Sequence, residues 1–227
     1  MIEVDGVSHR YGARTVLRDV TVSLDERRVG VIGANGSGKS TFARLLNSLV
    51  VPTAGRVRVD GLDTRADAKA VRRLVGFCFT DPDAQIVLPT VAEDVGFGLR
   101  RRGFSKAEIG DRVRDALARF DLLDHADHPT HLLSGGQKQL LALAAVLVTE
   151  PSILVLDEPT TLLDLRNAHR VARHLDALDL RVLLVTHHLE LLADYERVLV
   201  FDEGRLVYDG APASAVAFYR DLMAERP

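Results

Sequence analysis

The chain has 227 residues, 47% of them hydrophobic and 27% charged, with a formal net charge of −3 from 29 Lys and Arg against 32 Asp and Glu. That is ordinary globular usage with enough length for a sizeable core. It excludes long disorder, which needs low hydrophobicity and high net charge, and a protein built mainly to hold nucleic acid, which would be basic. The single cysteine, Cys78, rules out an intramolecular disulfide and points to a reducing compartment.

The opening residues, MIEVDGVSHRYG, lack the apolar stretch of a signal peptide. The first 60 residues read as strands: 16–24 (VLRDVTVSL) and 57–59 are rich in β-branched residues, and 29–32 (VGVI) is a short apolar run ending in a glycine-rich loop. A helix is expected from Lys39 to about Leu49, stopped near Pro52. Apolar runs recur at 75–79, 153–156, 182–185 and 198–201. Without alternation they read as strands buried on both faces, as parallel strands are. Helical stretches between them predict an α/β domain with a mostly parallel sheet.

The segment from about 81 to 131 holds no good strand. Thr90 with Glu93 and Ser105 with Glu108 match capping boxes, each opening a helix, so a small inserted helical subdomain is expected. Arg100-Arg101-Arg102 is expected to end the helix that starts at Val91, where basic residues complement the dipole. Cys78 reads as a buried small hydrophobe. His125, His128 and His131 are spaced by three, but Pro129 breaks any helix that would align them, so they read as loop residues. The longest apolar run, 140–148, has nine residues, against about 20 for a membrane span. A hairpin is expected around Glu203-Gly204, with a last helix from about 214 to 223. The expectation is a soluble, cytoplasmic chain, so any membrane role requires another chain.

Gly33-Ala34-Asn35-Gly36-Ser37-Gly38-Lys39-Ser40-Thr41 follows the strand 29–32, opens a helix, and fits G-x-x-x-x-G-K-[ST] in its confirming context. Glycines let the backbone turn its N–H groups toward phosphate oxygens, and the helix N-terminus adds a favourable dipole. Lys39 can reach the β- and γ-phosphates and the Ser40 hydroxyl can ligate Mg²⁺. The run 153–156 then brings the carboxylate pair Asp157-Glu158 to the C-terminal end of a strand, where α/β sheets bind ligands. Asp157 is placed to hold Mg²⁺ through water, and Glu158 to polarise the attacking water.

Leu133-Ser134-Gly135-Gly136-Gln137 lies between these two elements. With it, the chain resembles the ATP-binding-cassette (ABC) ATPases over essentially its whole length. Ser134 comes 95 positions after Lys39, Asp157 23 further on, and His187 30 beyond that. The resemblance implies a P-loop NTPase fold of ABC-ATPase type. That fold has a mostly parallel sheet core, an N-terminal antiparallel β subdomain and a helical subdomain over 81–136, all within one nucleotide-binding domain, 1–227. Ser134 and the two glycines precede a helix expected over 137–149, forming a second anion-binding helix terminus. In the family it meets the γ-phosphate held by a partner cassette, so two chains, identical or homologous, close two ATP sites. The family also places an adenine-stacking aromatic at Tyr11, a switch histidine touching the γ-phosphate at His187, and a loop crossing the dimer interface at Thr161 to Asp164. Asp164 equally fits the N-cap of the next helix.

Some positions depart from the family. Thr80 stands where it has a Mg²⁺-sensing glutamine. A threonine keeps an oxygen but is shorter by about two bonds, which favours a water-bridged contact. Gln85, five positions on, is expected on the docking surface, with a contribution in place of that glutamine as the alternative. His188 and Leu140 replace an aspartate and a basic residue common in the family. Phe79-Thr80-Asp81-Pro82-Asp83-Ala84-Gln85 is similar to the energy-coupling-factor (ECF) branch, which drives uptake of vitamins and of cobalt or nickel ions. Thr80 with Thr160-Thr161-Leu162-Leu163-Asp164 is most similar to the ATPases of biotin modules. The resemblance thus implies a Mg²⁺-dependent ATPase peripheral on the cytoplasmic face of the membrane. Its partners would be a second ABC subunit, an ECF-type transmembrane coupling protein docked near 81–102 and a substrate-binding membrane protein, with no nucleic acid. The alternatives are another ABC importer or exporter, or a non-transport ABC ATPase acting on nucleic acid or ribosomes. The 95-residue gap before Ser134 leaves no room for the coiled coils of DNA-acting relatives.

Overall fold

A computed structural model of the protein describes residues 1–100 and 102–225. The chain opens with β1 (Ile2–Tyr11) and β2 (Arg14–Leu24), an antiparallel pair in which Tyr11 faces Arg14 across the turn at Gly12. Next come β3 (Arg28–Gly33) and α1 (Lys39–Leu46). The helix is one turn shorter than its composition predicts. Ser48 takes φ 58°, and the Asn47 amide donates to the Val75 carbonyl, so a tertiary bond ends the helix ahead of Pro52. β4 (Ala54–Val59), β5 (Leu62–Asp63), α2 (Ala68–Leu74) and β6 (Val75–Cys78) follow.

Three helices come next: α3 (Val91–Phe97), α4 (Lys106–Arg119) and α5 (Gly135–Leu147). The Ser105–Glu108 capping box at the start of α4 forms as expected. Hydrogen bonds from Ser105 hold the Glu108 carboxyl below its usual range. The Thr90–Glu93 box does not form. The Thr90 hydroxyl donates to the Glu93 carboxylate at 2.7 Å instead of accepting from the backbone. Nor does α3 reach the arginines. It ends at Phe97, where Gly96 and Gly98 weaken the helix, and Arg100 donates its N–H to Phe97 in a turn. Arg101 lies outside the described residues, and Arg102 donates to the Thr149 carbonyl at 2.6 Å.

The remaining elements are β7 (Ile153–Asp157), α6 (Leu165–Asp176), β8 (Arg181–Val185), β9 (Arg197–Asp202), β10 (Arg205–Gly210) and α7 (Pro212–Ala224). α7 starts two residues before the predicted 214 because Pro212 suits the first helical turn. The β9–β10 hairpin turns at Glu203 and Gly204, φ 46° and 81°. No helix among the described residues is long and apolar enough to cross a membrane.

The elements gather into two compact units. The first takes Met1–Phe77, Ile153–Asp157 and the stretch from Leu180 onward. It holds an antiparallel sheet of order β2-β1-β4-β5 and a six-stranded sheet of order β10-β9-β3-β8-β7-β6. In the latter, β3 runs parallel to β8 and β9, and β7 to β8. The buried runs of β3, β7, β8 and β9 are its core, which is why they lack alternation. The second unit takes Cys78–Ser152 and Glu158–Asp179. It is helical, with α3, α4 and α5 packed on one another around Val95, Leu99, Leu117 and Phe120. Cys78 is buried, and the Gln139 amide donates to its sulfur at 3.4 Å.

An ion-pair cluster fixes the start of β9. Arg197 donates to both Asp209 oxygens at 2.6 Å and to Glu26 Oε1 at 2.9 Å. The two carboxylates raise the arginine's pKa against the opposing effect of burial. Burial by itself would raise the Glu26 carboxyl, but bonds from the Glu26 and Asp25 N–H groups and from Arg197 outweigh it and hold the carboxyl below its usual range. A depressed carboxylate stabilises the fold above the unfolded pKa, about 4.3, and that contribution is lost as pH falls through the folded value. Glu26→Gln should therefore lower the melting temperature at neutral pH, and thermal melts of the two proteins should converge as pH drops below about 4.

Candidate functional site

In the first unit, β3 and α1 are joined by the loop Gly33 to Lys39. Gly33, Gly36 and Gly38 have φ of 149°, 78° and 103°. A Cβ on Gly33 would lie 2.1 Å from the Phe201 carbonyl oxygen, and one on Gly38 would lie 2.8 Å from the Val16 carbonyl oxygen. Only glycine lets this backbone pass so close to its neighbours. The loop is pinned by bonds from Ser37 N–H to Ala34 O (3.1 Å) and from Gly204 N–H to Ser37 O (3.0 Å). Lys39 is buried, and its ammonium donates to the Gly33 and Ala34 carbonyls at 2.7 and 2.9 Å. A cation is thereby fixed at the mouth of a loop that begins a helix, the arrangement that binds phosphate.

Ser40 and Thr41 form the first turn of α1. The Ser40 hydroxyl donates to Asp157 Oδ1 at 2.7 Å, and Asp157, at the end of β7, is wholly buried. Arg44, one turn along α1, reaches Asp157 Oδ2 at 3.4 Å. No motif marks this partner, although the Ser40/Arg44 spacing of four puts both on one helix face. A hydroxyl beside a buried carboxylate is a hard oxygen donor set that fits Mg²⁺. His187 follows β8, and its ring centroid is 4.3 Å from that of His188. The Thr186 hydroxyl accepts from His188 N–H at 2.9 Å, and Thr186 N–H donates to Val31 O, tying this turn to β3. Tyr11 is exposed at the end of β1, its ring edge-on to buried His9 at 4.6 Å.

In the second unit, α5 begins at Gly135, two residues earlier than expected, with Ser134 as its N-cap. The Ser134 hydroxyl accepts from Gln137 N–H at 3.3 Å, and Gln137 Oε1 accepts from Ser134 N–H at 2.9 Å. Gly135 and Gly136 thus occupy the first turn, where N–H groups have no intrahelical acceptor. A Cβ on Gly136 would lie 2.4 Å from the Asn167 amide carbon. Gln137 Nε2 lies 2.9 Å from His125 Nε2, so this loop histidine braces the α5 terminus.

Glu158 follows Asp157 in the chain and has φ 54°, a strained conformation for a non-glycine residue. The Thr161 hydroxyl donates to its Oε2 at 2.7 Å. Asp164 caps α6, accepting from Asn167 N–H at 2.8 Å. Thr80 is half-buried. Gln85 is half-buried: its Oε1 accepts from Phe79 N–H at 3.1 Å and its Nε2 donates to Ala142 O at 3.0 Å. The amide braces the 79–85 turn against α5.

The family of ABC transporters matches residues 17–161. The chain is 52% identical over 223 residues to the biotin transport ATP-binding protein BioM of Rhizobium etli, covering 98% of this chain and 99% of the relative. It is 44% identical over 232 residues to the energy-coupling factor transporter ATP-binding protein EcfA1 of Symbiobacterium thermophilum, covering 95% and 81%. Among solved structures, a dimeric ATP-binding cassette in a post-hydrolysis state bound to ADP and Pi superposes with TM-score 0.83 and 29% identity, covering 93% of this chain and 99% of that one.

The β9–β10 turn carries part of the loop's geometry. Gly204 sits at φ 81°, its carbonyl accepts from Arg18 N–H at 2.8 Å, and a Cβ there would fall 2.5 Å from Val16 O. Gly204→Ala must shift the turn that holds Ser37. Calorimetric ATP titration and thermal melts should show weaker nucleotide binding together with a loss of about 1–3 kcal/mol in stability. Lost stability with unchanged affinity would separate the turn from the loop.

Proposed function

The chain belongs to the ABC transporter family and is an ATPase of that family; from this premise we propose that it is the ATP-hydrolysing subunit of an ECF-type importer, and that biotin is the solute. The ECF assignment draws support from the similarity to EcfA1 and from the 79–85 turn. The biotin assignment draws support from the similarity to BioM and from the Thr80 and Thr160 to Asp164 pattern. A cobalt or nickel module is the rival within the same branch.

The observation that carries the ATPase role is the pairing, in one chain, of a phosphate loop with Ser40 on Asp157 and a separate serine-capped helix terminus at Ser134. Each supplies half of an ATP site, so two cassettes facing each other complete two. Lys39 meets the β- and γ-phosphates, and the loop's N–H groups fix the chain of phosphates in place. Tyr11 stacks on the adenine. The residues that would hold Mg²⁺ are Ser40 directly and Asp157 through water; the ion would supply neutralisation of the triphosphate's charge. Ser134 and the first-turn N–H groups of α5 face the γ-phosphate of the opposite cassette. Glu158, oriented by Thr161, accepts a hydrogen bond from the attacking water, and His187 donates to the γ-phosphate. Such catalysis is positioning and charge stabilisation rather than covalent chemistry.

Closing moves the membrane subunits, and hydrolysis reopens the pair. Their docking place is the 81–102 stretch. Val87 and Phe97 are exposed there at 61% and 52%, while Asp94, buried, accepts from Val87 and Leu88 N–H at 2.8 and 2.9 Å and holds the loop in shape. Glu158→Gln should abolish ATP turnover and trap an ATP-dependent dimer, seen by light scattering. A variant that stays monomeric with ATP contradicts the composite site. The membrane proteins that copurify then decide the solute: one that recognises something other than biotin removes that part of the proposal.

A further inference from the structure

A cleft of about 430 Å³ opens beside the phosphate loop, lined by Arg14, Arg18, Gly36, Glu203, Gly204 and Arg205, among others. Three arginines and one glutamate are among its lining residues. Two other arginines of this unit are matched: Arg197 with Asp209 and Glu26, and Arg181 with Asp25 and Asp60. Arg14, Arg18 and Arg205 have no side-chain hydrogen bond or ion pair among the described residues. Like charges gathered without partners raise the potential of a cleft and favour an anion in it.

Arg14 is the closest to the loop. Its Nη2 would be 3.7 Å from a Cβ on Gly36, the apex of the loop and the position where φ is 78°. The hairpin makes this placement firm, because Arg14 pairs with Tyr11 at the first rung of β1–β2 and Arg18 N–H is bonded to Gly204. The guanidinium is thus carried on a strand whose other attachments hold the loop itself. An arginine in such a position suits bidentate recognition of phosphate oxygens.

We propose that Arg14 is a further nucleotide-binding residue, contacting the phosphate chain of ATP from outside the loop apex, with Arg18 and Arg205 adding positive potential to the same cleft. The assignment rests on the ATP-binding reading above. Calorimetric titration of the full chain with ATP, and separately with AMP, tests it in the wild type, Arg14→Ala, Arg14→Lys and Lys39→Ala. Arg14→Ala should raise the Kd for ATP about tenfold, should leave that for AMP within about twofold, and should reduce the salt dependence of ATP binding. Arg14→Lys should recover part of the loss. The melting temperature should not move, because the side chain has no partner to lose.

If Lys39→Ala loses ATP and Arg14→Ala binds it like the wild type, the Arg14 assignment falls and the ATP reading stands. If Lys39→Ala also binds ATP normally, the ATP reading itself falls. An equal loss for ATP and AMP would overturn the phosphate-chain contact.

Discussion

The tightest constraint in the first unit is the approach of two backbones at the end of β3. Gly33 passes so near Phe201 that a Cβ would sit 2.1 Å from its carbonyl oxygen. The geometry of the Gly33 to Lys39 loop starts from that contact. It lets the loop turn sharply off a buried central strand, places Lys39 back over the Gly33 and Ala34 carbonyls, and brings Ser40 against Asp157 on β7. Gly38 repeats the device against Val16, and Gly204 closes it by bonding Ser37 on one side and Arg18 on the other. The loop is held from the β2 side and the β9–β10 side as well as by its own helix. Binding energy can then go to the phosphates instead of ordering the loop.

The second unit is preformed by a different device. Ser134 and Gln137 satisfy each other's backbone N–H groups, which leaves the first turn of α5 rigid, and Gly136 leaves room for the Asn167 side chain. Glu158 is held in a left-handed conformation, strained for a non-glycine residue, with its carboxylate bonded to Thr161. Each unit therefore presents preformed groups.

The strands, the phosphate loop, the carboxylate pair and the presence of a helix terminus after Ser134 were legible in the residues because each depends on local pattern: apolar runs without alternation, glycines at fixed spacing, a serine and two glycines ahead of an apolar helix. What escaped depends on partners distant in the chain. α1 ends early because Asn47 finds Val75, 28 residues away. Thr90 and Glu93 have the right spacing for a capping box, yet the hydroxyl and the carboxylate bond each other directly. The Gln85 amide bridges Phe79 and Ala142, the latter 57 residues away, a contact no local spacing announces. Arg44 carries no motif and Gly204 reads only as a hairpin turn; their further roles come from the Asp157 carboxylate and the Ser37 carbonyl, which folding alone brings to them.

The centre of this account is that Ser40 and the buried Asp157 carboxylate form the place where the metal of MgATP is received. Calorimetric ATP affinity, measured with Mg²⁺ and again with EDTA, tests this most directly in the wild type and in Asp157→Asn. The account predicts that Mg²⁺ tightens ATP binding to the wild type and that Asp157→Asn, while still folded and still binding metal-free ATP, loses that gain. An Asp157→Asn protein with the wild-type response to Mg²⁺ would contradict it.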